Sequence, residues 1–150
     1  MQEQDIYGKY GVYLPKILDD LSQRIQEANN RVKQETGQKL FEHFNARIKQ
    51  AASMEEKCQR KNLPRAPESA LKEIRDAIGI RIVCGFIEDI YQTIEVLRQL
   101  EGCEIVLEKD YIRAAKPNGY RSYHLILEVE TPYEDCHGQN PGRYFVEIQL

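Results

Sequence analysis

The 150-residue sequence lacks the marks of several protein classes. No apolar run approaches the length needed to cross a bilayer, and no apolar stretch follows a basic start, so we expect a soluble protein retained in the cytoplasm. The cysteines form no CxxC pair and no His/Cys group suited to a tetrahedral zinc site. We therefore expect reduced thiols at all four of them: Cys58, Cys84, Cys103 and Cys136.

The chain also lacks a large excess of either charge. Its 21 basic and 24 acidic residues leave a net charge of -3, which argues against electrostatic binding to duplex DNA or to an anionic membrane. The basic residues are instead concentrated in two segments, residues 47–61 and residues 109–121. Two local positive clusters on an acidic protein predict a small anionic ligand.

Glycine-rich phosphate loops are missing as well. The sequence contains no GxxxxGK[ST] motif and no GxGxxG motif after a strand. Any nucleotide bound by this chain must therefore be held by side chains rather than by a glycine loop.

The apolar pattern predicts one compact α+β domain. With 41% hydrophobic residues, the chain has enough apolar material for one core and too little for a second. The periodicities predict helices and strands in the order α-β-α-α-β-α-β-β-β, which is typical of a mixed β-sheet flanked by helices. The predicted helices span 10–32, 53–61, 69–77 and 88–100, and the predicted strands span 40–49, 80–86, 103–109, 121–130 and 143–150.

Two local signals set the ends of the short helices. Ser53 followed by Glu56 is a capping-box pattern, which predicts that the second helix opens at Ser53. Gly79 is expected to close the third helix, with Asp76 at its end.

The most informative segment joins the first strand to the second helix. Arg47 and Lys49 are two residues apart and are expected on one face of the strand, while Ser53, Lys57 and Arg60 share one face of the helix. Four cations converging on a helix N terminus, whose free amides already favour phosphate, predict a polyphosphate site. The alternative is a capping serine on a solvated basic helix.

Two carboxylates are notable for their positions. Asp76 precedes the strand that contains Arg81, and Glu147 lies on the final strand, facing away from Val146 and Ile148. A pair of carboxylates from neighbouring strands suits Mg²⁺ beside a triphosphate, because this ion keeps much of its water and accepts one or two protein oxygens. Each carboxylate alone is typical of an ordinary surface acid.

A turn between these carboxylates holds the second basic cluster. Lys116 opens a Lys-Pro-Asn-Gly turn that leads to Tyr120, and Arg121 and His124 follow. An aromatic ring flanked by basic groups suits a stacked base and its phosphates. Sheet packing of Tyr120 and a satisfied core imidazole at His124 are the alternatives.

Together these segments resemble the synthetase domain of the RelA/SpoT family, and most closely its small stand-alone members, the small alarmone synthetases. They occur in the family's order and span about two thirds of the chain. The matching stretches are RIKQAASMEEKCQRK (47–61), IRDAIGIRIVCGF (74–86), KDYI (109–112), GYRSYHL (119–125) and VEIQL (146–150).

The resemblance implies a nucleotidyltransferase-like fold and GTP pyrophosphokinase activity. In that reaction the 3'-hydroxyl of GTP or GDP attacks the β-phosphorus of ATP, AMP leaves, and the product is pppGpp or ppGpp, the alarmones of the stringent response. The implied cofactor is Mg²⁺, with Asp76 as a ligand and Glu147 as the second ligand or as the base that receives the hydroxyl proton.

The resemblance also implies roles for the basic and aromatic residues. For ATP these are Arg47 and Arg81 around the adenine, with Lys49, Ser53, Lys57 and Arg60 at the phosphates. For the acceptor they are Tyr120 stacked on guanine and Lys116 near the phosphates, with Arg121, His124 and Gln149 in support.

Two departures from the long family members bear on function. No adjacent His-Asp pair occurs, so we expect synthesis without hydrolysis. Family members continue past the final Glu-Ile-Gln strand with helices that serve acceptor binding and the oligomer, a homotetramer in related small synthetases, and this chain is expected to lack them. Two functions stay open: an active synthetase, and a nucleotide-binding regulatory module of the same fold without turnover. Nucleic-acid binding ranks below both because the net charge is negative.

Overall fold

A computed structural model describes residues 4–113 and 121–150. Three α-helices and five β-strands follow one another in the order α1, β1, α2, β2, α3, β3, β4, β5. A 3₁₀ turn precedes α1, and a π-helical turn, Ser69–Glu73, precedes β2. The helices are α1 (Leu14–Thr36), α2 (Ala51–Arg60) and α3 (Ile87–Arg98), and the strands are β1 (His43–Ile48), β2 (Ile78–Val83), β3 (Cys103–Asp110), β4 (Tyr123–Thr131) and β5 (Gly142–Gln149).

The strands form one five-stranded sheet in the order β1-β2-β5-β4-β3. Only β2 and β5 run parallel, and the other neighbouring pairs are antiparallel. The mixed sheet flanked by helices that the sequence predicted is therefore confirmed.

One face of this sheet forms the core. Ile78, Ile80 and Ile82 of β2 alternate inward and are at most 3% exposed, and Val146 and Ile148 of β5 are fully buried beside them. Helix α1 packs on β1 and α3 packs on β3, and the two helices share the lining of one groove, so they cover the same face. Each such fully buried aliphatic side chain contributes about 1.5–3 kcal/mol. The opposite face is left for polar side chains.

The first helix begins later than its periodicity suggests. Tyr10 and Tyr13 lie in the 3₁₀ turn Gly8–Tyr13, and α1 starts at Leu14 with Pro15 in its first turn, where proline has no hydrogen bond to lose. The helix ends at Gly37, which adopts a left-handed φ of 80°.

The predicted capping box is wrong. Helix α2 starts two residues earlier, with Gln50 as its N-cap and the Met54 amide donating to the Gln50 carbonyl at 3.0 Å. Ser53 therefore lies inside the first turn and is exposed. Ala51 and Ala52 are strong helix formers, so the helix extends back through them without a side-chain cap.

The predicted helix over 69–77 forms only in its first half. Residues 67–73 are helical, with a π-helical turn at Ser69–Glu73; Ile74 is already extended with ψ of 140°, and Asp76 lies in the extended segment that enters β2. Gly79 is not a helix cap but a residue of β2, paired with Arg47. The extended segment lets the Ala77 carbonyl accept the Lys49 amide and leads into strand pairing at Ile78.

The remaining predicted elements are confirmed with shifts of a few residues at their ends. None of the helices within the described ranges has both the length and the apolar character needed to span a membrane.

Candidate functional site

A cavity of about 230 Å³ lies on the sheet face opposite α1 and α3. Strand register builds it from two rows of side chains: Arg47 lies opposite Gly79, which lies opposite Glu147, and Asn45 lies opposite Arg81, which lies opposite Gln149. Directly paired residues point to the same face of a sheet, and the two rows share that face because they lie two positions apart on each strand. Its lining is Asn45, Arg47, Gly79, Ile80, Arg81, Glu147 and Gln149.

Two exposed arginines dominate the charge of this cavity. The Arg47 side chain lies over Gly79: a Cβ added to that glycine would stand 3.8–3.9 Å from three Arg47 side-chain atoms. Within the described ranges, neither Arg47 nor Arg81 forms an ion pair. Both planar cations are therefore available to an anionic or aromatic ligand.

A compact cluster of opposite charges lies at the adjoining end of β1 and β2. The Lys49 and Lys57 ammonium groups donate to the same Asp76 oxygen, Oδ2, at 2.7 and 2.8 Å. The Lys49 backbone amide also donates to the Ala77 carbonyl at 2.8 Å, which ties the end of β1 to the segment entering β2. One aspartate thus gathers two lysines that the sequence separates by eight positions.

The charge of Asp76 is stabilised by those lysines. Burial alone would raise the pKa of this carboxyl group, but the hydrogen bonds and charges of Lys49 and Lys57 outweigh it and hold the pKa below its ordinary value. Asp76 is therefore ionised at neutral pH, and the cluster bears a net positive charge. An incoming phosphate can replace the carboxylate as partner of either lysine.

The other Asp76 oxygen is incompletely satisfied. Oδ1 is buried, and within the described part of the chain it accepts no hydrogen bond. Such an atom is the kind of donor that a hard cation or a water completes. The residues therefore fit Mg²⁺ in donor chemistry, with Glu147 on the cavity face as a second oxygen donor. Across residues 4–113 and 121–150, no group of three or more His, Cys, Asp or Glu side chains forms a fuller metal centre.

The basic residues of α2 do not all converge on its N terminus. Lys57 and Arg60 lie in the last turn of the helix, and Arg60 is exposed, with its Nε 3.9 Å from Glu56. The structure joins Lys49 and Lys57 through Asp76, places Arg47 in the cavity, and leaves Ser53 and Arg60 on the outer surface of α2. The expectation of four cations around the helix N terminus is corrected accordingly.

Two of the predicted acceptor residues, His124 and Gln149, lie on neighbouring strands. His124 of β4 lies opposite Gln149 and is half-buried, with its ring edge-on to Tyr111 at 5.6 Å between centroids. Arg121 lines a second cavity of about 270 Å³ together with Arg81 and Gln149. Lys116 and Tyr120 lie outside the described residues.

Two residues near the site were missed from sequence. Asn45 lines the main cavity, and its alternation with Arg47 on β1 was a signal that pointed to it. Tyr7 is buried, and its hydroxyl donates a hydrogen bond to the Lys49 carbonyl at 2.6 Å. The two residues are 42 positions apart, so no local sequence pattern predicts this contact.

Known proteins resemble this chain in both sequence and structure. Over 93 residues, 62% of this chain, it is 44% identical to the GTP pyrophosphokinase YwaC of Bacillus subtilis (strain 168), and over 135 residues, 90% of this chain, it is 31% identical to the GTP pyrophosphokinase YjbM of the same organism. The chain spans 44% of YwaC and 61% of YjbM.

A solved structure of small alarmone synthetase 1 from Bacillus subtilis, bound to its product pppGpp, matches with a TM-score of 0.76 and 29% identity, over 94% of this chain and 69% of that one. The profile described as "Region found in RelA / SpoT proteins" matches residues 46–150, which include both arginines of the cavity and the Asp76 cluster. The match confirms the resemblance seen in the motifs: this chain belongs to the RelA/SpoT family.

Proposed function

We propose that this chain is a GTP pyrophosphokinase that transfers pyrophosphate from ATP to the 3'-hydroxyl of GTP or GDP. The observation that supports the proposal best is that two arginines, without an ion pair among the described residues, line a cavity next to two lysines that bind one buried aspartate. The names of the relatives, GTP pyrophosphokinase and small alarmone synthetase, point to the same reaction.

In this proposal Arg47 and Arg81 hold the adenine of ATP between them. A guanidinium group is planar and stacks on aromatic faces, and neither arginine has an ionic partner to give up within the described ranges. Their positions on adjacent strands β1 and β2 fix both groups on the rigid sheet rather than on a loop.

Lys49 and Lys57 bind the phosphates. Without ligand they neutralise Asp76, and with ATP bound their ammonium groups turn to the more highly charged phosphate oxygens. Ser53 and Arg60 are both exposed on α2; Ser53 contacts the distal phosphates, and Arg60 adds positive charge beside them. Because phosphoryl-type transfer asks a protein mainly for positioning and neutralisation of charge, this cation set is suited to the step.

Asp76 and Glu147 hold Mg²⁺. When bound, the ion neutralises charge on the transferred group and increases the acidity of an oxygen that contacts it. Alternatively, Glu147 is not a metal ligand but the base that receives the proton of the 3'-hydroxyl as that oxygen attacks the β-phosphorus and the bond to the AMP oxygen breaks. On the acceptor side, Tyr120 stacks on guanine and Lys116 binds its phosphates, supported by Arg121, His124 and Gln149.

We also propose that the chain acts in the cytoplasm, where both nucleotides are present, and assembles as a homo-oligomer.

The test is incubation of the purified chain with ATP, Mg²⁺ and either GTP or GDP, followed by separation of products. We expect AMP and a 3'-pyrophosphorylated guanosine nucleotide in equal amounts. Asp76→Asn should reduce product formation by more than about 100-fold, since the cluster loses the charge that orders its lysines and a metal ligand. Asp19→Asn, an exposed acid on α1, is the matched control and should leave the rate unchanged.

Other outcomes redirect the proposal. ATP binding without any product would support the nucleotide-binding regulatory module instead. Product formation unaffected by Asp76→Asn would contradict the role given to that residue.

A further inference from the structure

A turn at the start of the chain is built into the phosphate-binding cluster. Ile6 is 1% exposed and Tyr7 is 4% exposed, although both precede the family-matched residues 46–150. The turn closes on itself: the Asp5 carboxylate accepts the Tyr7 amide at 2.9 Å, and the Gly8 amide donates to the Asp5 carbonyl at 3.0 Å. Gly8 has a φ of 58°, which a side chain rarely tolerates.

Contacts from two directions hold this turn in place. Arg65 donates to the Gln4 carbonyl at 2.9 Å and also pairs with Glu55 of α2. On the other side, a Cβ added to Gly8 would lie only 3.1 Å from Pro67 Cγ, so the turn and the loop after α2 are in close contact. The turn is therefore anchored to the helix that contains Lys57.

Tyr7 reaches from this turn to the backbone of Lys49. Its hydroxyl donates to the Lys49 carbonyl at 2.6 Å, while the Lys49 amide donates to the Ala77 carbonyl at 2.8 Å. Lys49 follows the last residue of β1 and precedes the N-cap of α2, so it belongs to neither element's own hydrogen-bond ladder. Both of its backbone groups are instead fixed by partners distant in sequence.

The phenol is suited to this task. Burial raises the pKa of Tyr7, and the charges of Asp76 and Asp5 raise it further, so the hydroxyl stays protonated and remains a donor. The Tyr7 side chain is only 4% exposed, so its ring is enclosed by the rest of the protein. Loss of the hydroxyl alone would leave the ring packing intact and the Lys49 carbonyl without its partner.

We propose that Tyr7 is a positioning residue for Lys49, and that the site for the ATP phosphates therefore extends beyond the family-matched part of the chain. The inference rests on the proposed function, because it assigns the phosphates of ATP to Lys49. Tyr7 fixes the backbone from which the Lys49 side chain extends, and Asp76 holds its ammonium group. Binding of the acceptor nucleotide does not depend on this contact.

The test compares Tyr7→Phe with Tyr144→Phe. Tyr144 is the matched control because it is 2% exposed and donates to a backbone carbonyl, that of Glu134, at the same 2.6 Å, but outside the cluster. Steady-state rates are measured with ATP varied at saturating acceptor and with acceptor varied at saturating ATP. Thermal unfolding of both variants is recorded to compare their stability.

We expect Tyr7→Phe to raise the KM for ATP about five-fold, the effect of losing one hydrogen bond, and to change the acceptor KM less than about two-fold. Tyr144→Phe should lose a similar amount of stability and change neither KM. A rise in both KM values of Tyr7→Phe by the same factor, or equal behaviour of the two variants, would overturn the inference.

A second measurement separates this inference from the proposed function. Equilibrium binding of an α,β-methylene analogue of ATP requires no turnover, and Tyr7→Phe should weaken it about five-fold even if the wild-type chain forms no product. If Tyr7→Phe fails to fold, Arg65→Ala loosens the same turn from the surface and should weaken analogue binding by about two-fold. Unchanged analogue binding in the folded variant that is tested would refute the role of Tyr7.

Discussion

Two buried aspartates, Asp76 and Asp135, stand in contrasting environments. Asp135 is fully buried and every part of its carboxylate is satisfied: Oδ1 accepts the amides of His137 and Gln139, and Oδ2 accepts the amide of Arg143 and the Lys72 ammonium group. Asp76 is bonded only by two lysine side chains, both on Oδ2, and its Oδ1 has no partner within the described ranges.

These environments suit Asp135 to a structural role and Asp76 to a ligand site. Backbone amides cannot leave Asp135 without unfolding the loop before β5. Gly142, the first residue of β5, is packed so closely against that loop that a Cβ would lie 2.0 Å from the Tyr133 carbonyl oxygen. Lysine side chains can leave Asp76 by rotation alone. A carboxylate held by exchangeable partners, with one oxygen to spare, is suited to a ligand site.

The largest effect on stability is expected from Asp135→Asn. The substitution turns an amide group toward backbone donors and leaves Lys72 without its counter-charge, so the free energy of unfolding should fall by about 3 kcal/mol. Urea denaturation of Asp135→Asn and Asp76→Asn measures the contrast, with a smaller loss expected for Asp76→Asn. If Asp76→Asn proves the more destabilising, the division between a structural and a ligand-binding aspartate is wrong.

The contribution of Asp135 to stability should also depend on pH. Burial alone would raise the pKa of Asp135, but the amides of Arg143, Gln139 and His137 and the Lys72 charge outweigh it and hold the pKa below its ordinary value of about 3.9. Because the folded pKa is below the unfolded one, this stabilisation is complete above about pH 4 and is lost as the pH falls through the folded pKa. Stability measured from pH 5 to pH 2 should decline more steeply in the wild type than in Asp135→Asn; parallel curves would show that Asp135 does not contribute.

The lysines provide a further comparison. Lys57→Met should weaken binding of the ATP analogue about ten-fold, because the Lys57 ammonium group can leave Asp76 and bind phosphate instead. It should change the free energy of unfolding by less than about 1 kcal/mol. Lys72→Met should do the reverse, since Lys72 bonds both Asp135 and the Arg143 carbonyl and is not among the residues that line the cavity. Calorimetric titration and thermal unfolding of the two variants give both quantities. Equal losses of affinity would mean that the charge of the whole chain, rather than the Asp76 cluster, attracts the nucleotide.

Sequence reasoning predicted the strands well because strand alternation is a local property. Glu147 lies on the face assigned to it, since it alternates with Val146 and Ile148, which are fully buried. Arg47 and Arg81 line the same cavity, and Arg81 alternates with the buried Ile80 and Ile82. The same reasoning placed the end of the 69–77 helix too late, because the Ala77 carbonyl accepts the Lys49 amide and Ile78 already pairs with both β1 and β5.

Contacts between distant segments could not be predicted from the sequence, because local patterns do not record them. Nothing in the spacing of Lys49, Lys57 and Asp76 indicates that two ammonium groups share one oxygen. The Tyr7–Lys49 contact is even harder to predict, since a helix and a strand separate the two residues along the chain. Motif resemblance identified the lysines and Asp76 as site residues, and only the fold shows how they are held.

The smallest effect is expected from Arg60→Ala, at the exposed end of α2. Arg60 forms only a long, solvated pair with Glu56, so its loss should change stability by less than about 0.5 kcal/mol. Because Arg60 has no fixed position toward Asp76 or the cavity, we expect it to contribute charge rather than geometry, and analogue binding should weaken by about two- to three-fold and more at low than at high salt. Titrations at two salt concentrations measure this. If Arg60→Ala weakens analogue binding as much as Lys57→Met does, Arg60 contacts the bound nucleotide directly. Unchanged binding would mean that Arg60 is not part of the ATP site.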